Sequence, residues 1–71
     1  MKYFDYERVA AEAELKPEEL KLLCDVIQRD YPHDQMLFEL HVLRACTAIR
    51  DGQITLEEAF EAEMSSKAHS N

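Results

Sequence analysis

His33–Asp51 reads HDQMLFELHVLRACTAIRD, and the fold turns on this stretch. At about 100° of rotation per residue its apolar side chains form two helical faces. Met36, Leu40 and Leu43 share one side, and Phe38, Val42, Ala45 and Ile49 share nearly the opposite one. Leu37 and Ala48 occupy the flank between them. The pattern predicts a helix from about His33 or Asp34 to about Asp51. A helix that is apolar nearly all round is a buried one. Three short partner helices can hardly enclose it completely. It is therefore expected at the centre of the domain, with one side meeting a second copy. Met36, Leu37, Leu40 and Leu43 are the candidate oligomer interface.

Downstream, Ala48–Phe60 reads AIRDGQITLEEAF and resembles the second half of a calcium-binding EF-hand loop. With Gly52 as the sixth loop position, Asp51, Ile54 and Glu58 take the fifth, eighth and twelfth, as that loop requires. The first and third positions fall on Thr47 and Ile49. Isoleucine has no oxygen to offer, and threonine is a poor first ligand. The stretch reads instead as a corner between helices. Gly52 ends the third helix in the left-handed conformation. Thr55 and Glu58 form a capping box that starts a fourth. In that helix Leu56, Ala59, Phe60 and Met64 are expected to face inward. Glu57, Glu58, Glu61 and Glu63 make it strongly acidic and are the candidate partner-binding residues. Residues 65–71 are small and polar and read as a flexible tail, leaving residues 1–64 as a single helical domain.

Upstream, Lys16-Pro17-Glu18-Glu19 opens a helix, with proline at its first position and carboxylates where the helix dipole favours them. Leu20, Leu23, Cys24, Ile27 and Tyr31 form one apolar face, and Pro32 ends the run. A first helix is expected from Tyr6 to Glu14, capped by Asp5, with Phe4 stapled onto Val9. Tyr3, Phe4 and Tyr6 are expected to cover one end of the bundle. The fold class is all-α: a compact bundle of about four short helices around a central hydrophobic third helix.

Val9–Leu23, VAAEAELKPEELKLL, also resembles a helix-turn-helix. Val9, Ala10, Leu15, Leu20 and Leu23 fit its packing positions, and the second helix would be the DNA reader. The turn position that usually holds glycine is Glu14, and Glu18 and Glu19 would point at phosphates. Helix-turn-helix-like packing of the first two helices is thus expected more readily than DNA binding.

The totals restrict the function further. The chain has 71 residues, enough for one small domain. Its net charge is −7, and its eight lysines and arginines are scattered. Nucleic acid and anionic membrane are poor partners for such a surface, whereas a basic protein is a good one. Cys24 and Cys46 fall among apolar residues and read as reduced core thiols, which fits a cytoplasmic setting. No apolar run is long enough for a membrane span. His33 and His41 stand eight residues apart, roughly 12 Å along a helix, too far to share a metal. His41 is expected at a boundary, bonded to a carbonyl or carboxylate. No phosphate loop, nucleophile elbow or paired catalytic base occurs, so no enzyme activity and no cofactor are expected. The expected role is that of a small acidic accessory or regulatory protein acting through self-association and protein–protein contact. DNA binding by a helix-turn-helix is the alternative.

Overall fold

The computed structural model describes the backbone of residues 2–69 and the side chains of residues 2–64. Four helices follow one another: α1 (Tyr6–Glu12), α2 (Pro17–Gln28), α3 (Gln35–Arg50) and α4 (Leu56–His69). The described residues form no strand, and the all-α bundle expected from the sequence is what is found.

Local signals set most boundaries. The Asp5 side chain accepts the N–H of Arg8 at the start of α1, and Asp34 accepts that of Leu37 at the start of α3. Pro17 occupies the first turn of α2, and Glu19 reaches back to the N–H of Lys16 at 2.8 Å. Thr55 and Glu58 exchange hydrogen bonds of 2.8 and 3.1 Å before α4, the reciprocal pattern of a capping box. Of the tail expected from Ser65 onward, residues 65–69 continue the helical backbone of α4, and residues 70–71 lie outside the described residues. No glycine or proline occurs there to stop the helix.

α1 ends two residues before the expected Glu14, because Glu14 takes a left-handed conformation with φ +62°. The Glu14 N–H donates to Ala11 O and the Leu15 N–H to Ala10 O, which is a Schellman termination. Gly52, with φ +78°, closes α3 in the same way through Gly52 N–H to Ile49 O and Gln53 N–H to Ala48 O. Glycine adopts this geometry freely, whereas glutamate adopts it at a cost.

α1 packs against α3, and α2 packs against both α3 and α4. The core consists of Ala10, Leu23, Ile27, Phe38, Val42, Cys46 and Ala59. The expected stripe of α2 is borne out: Leu23 and Ile27 are fully enclosed, with Leu20, Cys24 and Tyr31 packed beside them. α3 contributes Phe38, Glu39, Val42 and Cys46 to the interior. Leu56 and Phe60 pack onto the core from α4, but Met64 is 58% exposed, against expectation. Eight positions beyond Leu56, rotation at about 100° per residue carries Met64 off the inward face.

Candidate functional site: the outer face of α3 and two polar anchors

The outer face of α3 is built by the helix period. Phe38, Val42 and Cys46 turn inward, so Met36, Leu40 and Leu43 turn outward. Met36 is 49% exposed, while Leu37, Leu40 and Leu43 are half-buried. None of the four belongs to the core or to the residues packed against it. α3 itself contributes no acid to this face. Among the residues of α3 only Glu39 is acidic, and it is fully buried. In a chain with 15 aspartates and glutamates this is a local break in the negative surface. Arg44 stands exposed at the edge of the face and takes no part in the ion pairs among the described residues.

Glu39 is the first polar anchor, and the apolar pattern of the sequence does not reveal it. One carboxylate oxygen accepts the backbone N–H of Tyr3 at 2.6 Å and that of Phe4 at 2.9 Å. The other accepts the Gln35 side-chain N–H at 2.6 Å. Burial pushes the Glu39 carboxyl up, but the hydrogen bonds from Gln35, Phe4 and Tyr3, with the nearby charge of Lys2, outweigh it. The net result lies below the usual carboxylate range. The segment before α1 is thus tied to α3 through its backbone. The one hint in the sequence is spacing: Glu39, Val42 and Cys46 follow each other at three and four residues, which places the glutamate on the core stripe.

The second anchor joins the segment after α2 to α3, at a corner that α4 approaches. The Tyr31 hydroxyl lies 2.9 Å from His41 Nε2, and His41 Nδ1 lies 2.9 Å from the Leu37 carbonyl. The carbonyl can only accept, so Nδ1 carries a proton. His41 is therefore the carbonyl-bonded boundary residue that its position predicts. Glu63 of α4 approaches the same corner. Burial and a hydrogen bond shared with Asp30 push its carboxyl up, and His41 partly offsets this.

The four glutamates of α4 do not share one surface. Glu57, Glu58 and Glu61 are exposed, whereas Glu63 is half-buried beside Asp30. The physical reason is the helix period: Glu63 lies four residues beyond Ala59, on the inward side, while Glu57 and Glu61 lie on the outward one. Glu58 is engaged in the cap with Thr55, so its carboxylate already serves the fold. The calcium-like stretch is the corner its residues predict, closed by Gly52 and Thr55. Among the described residues no three His, Cys, Asp or Glu side chains converge as a metal ion would need.

Both thiols lie where the protonated form is favoured. Burial pushes Cys46 up to about 11, and it raises Cys24 as well, with a hydrogen bond to Tyr6 working against the rise. No described helix is long and apolar enough to cross a membrane. Comparison with known protein families, with curated proteins and with solved structures returned no match.

Proposed function

We propose that this chain is a small accessory or regulatory protein of the cytoplasm that works by binding other protein chains, itself included, and carries out no chemistry of its own. The observation that carries the reading is the outer face of α3, where Met36, Leu37, Leu40 and Leu43 stand outside the core on a helix with no exposed acid. Interface centres are depleted in charge and rich in large apolar side chains, methionine and arginine. A chain this small also gains from a partner, because its own core encloses few residues. The exposed carboxylates of Glu57 and Glu61 add a negative surface on α4 that would steer a basic partner.

The test is molar mass by light scattering on a sizing column across a range of concentrations. A dimer that Leu40→Glu or Leu43→Glu dissociates, with helical circular dichroism retained, is the expected result. A monomer at every concentration sinks the self-association.

One observation favours DNA binding as a second reading. Glu14 adopts the left-handed turn conformation for which helix-turn-helix proteins use glycine. Against it, Glu18 and Glu19 open α2, and Glu19 caps the helix from there. Retention on immobilised DNA that falls steeply with salt would establish this reading, and absence of retention would remove it.

A further inference from the structure

We infer that the occupant of the outer face of α3 is a second copy of this chain lying antiparallel across a two-fold axis near Leu40. The inference rests on the self-association proposed above and specifies its geometry.

Three observations lead there. The first is charge. Two copies that each carry −7 repel one another, and approach costs least where the surface has no acid. α3 itself adds no exposed carboxylate to its outward face, since its single acid is enclosed. The second is shape. The apolar row runs from Met36 through Leu40 to Leu43, so a two-fold near its middle lays Met36 over the partner's Leu43 and Leu40 beside the partner's Leu40. The row then covers itself with no second surface required, as an isologous interface demands. The third fixes the direction. Arg44 stands exposed in the C-terminal half of α3, unpaired among the described ion pairs. A parallel arrangement would set Arg44 against the partner's Arg44. The antiparallel one holds the two Arg44 side chains apart, and it also opposes the two helix dipoles.

Cross-linking of the full chain tests this. In an antiparallel pair only residues near the axis meet their own copies. Met36→Cys, Leu40→Cys and Leu43→Cys are oxidised with diamide, and covalent dimer is read on a non-reducing gel. The unsubstituted chain gives the background from Cys24 and Cys46. Leu40→Cys should cross-link several-fold above that background. Met36→Cys alone should stay at background, and a mixture of Met36→Cys with Leu43→Cys should cross-link. Circular dichroism of each variant establishes that it remains folded.

Self-cross-linking of Met36→Cys as strong as that of Leu40→Cys would mean a parallel pair and overturn the inference. A dimer by light scattering that neither cross-links at Leu40 nor responds to Leu40→Glu would also overturn it, while leaving self-association standing on another face. A monomer at every concentration would overturn both.

Discussion

The carboxylate of Glu39 accepts the backbone N–H of Tyr3 at 2.6 Å across 36 positions of sequence. A fully buried glutamate thus holds down the segment before α1 through groups that every residue but proline possesses. The arrangement satisfies the charge with three donors, from Tyr3, Phe4 and Gln35. Its loss strands those donors, so Glu39 carries consequences for stability and for pH.

Because the Glu39 carboxyl is lowered in the folded chain, its contribution to stability is complete above the ordinary glutamate value. It fades as the pH falls through the lowered folded value. Urea unfolding at neutral pH and at about pH 3 should therefore show the native chain losing more stability than Glu39→Gln does. The amide hydrogens of Tyr3 and Phe4 should lose exchange protection in the variant before those of α3. Equal pH dependence in the two chains would show that Glu39 is not the group responsible.

Glu63 has the opposite sign. Its carboxyl is raised by burial and by Asp30, so the folded chain holds that proton more tightly than the unfolded chain. Ionising it as the pH rises costs stability, and the cost is complete above the raised folded value. Glu63→Gln should raise the thermal midpoint at neutral pH and leave it nearly unchanged in acid. A lower midpoint at neutral pH would mean that the Glu63 carboxylate makes a favourable contact.

Leu22 and Leu23 are neighbours with opposite fates, one 56% exposed and the other fully buried. Leu23→Ala should cost about 2–5 kcal/mol in denaturant unfolding, a large share of what holds a domain of this size together. Leu22→Ala should stay within about 0.5 kcal/mol. Comparable losses at both positions would contradict the packing of α2.

The two left-handed residues make a matched pair. Glu14→Gly should gain about 0.5–1 kcal/mol, because glycine relieves the strain at φ +62° and gives back part of the gain in chain entropy. Gly52→Ala should lose about 1 kcal/mol although nothing lies within 4 Å of the added carbon, since the cost there is conformational and not steric crowding by neighbours. The same sign of change at both positions would refute the argument.

Thr55→Ala removes the oxygen that accepts the Glu58 N–H, at an expected cost of about 0.5–2 kcal/mol. Helical circular dichroism should fall in part, since the backbone N–H of residue 55 still donates to the Glu58 carboxylate. An unchanged signal would show that this remaining bond and the packing of Leu56, Ala59 and Phe60 maintain the first turn.

The sequence by itself determined where the helices begin and which faces of α2 and α3 are apolar and buried. Asp5, Pro17, Asp34 and Thr55 act on backbone groups within a few residues of themselves, and the apolar periods of α2 and α3 are fixed by helix geometry. Gly52 was legible for the same reason. Only the tertiary structure decided the rest. Glu39 is bound by backbone N–H groups from a distant segment, and such partners leave no mark in a residue pattern. Glu63 parts company with Glu57 and Glu61 because α2 lies on the inner side of α4 and brings Asp30 there. Glu14 terminates α1 in a conformation that its own side chain disfavours. The Schellman bonds and the packing of Ala10 and Leu15 against the core outweigh that strain, since one residue's preference of about 1 kcal/mol yields to the packing of a core.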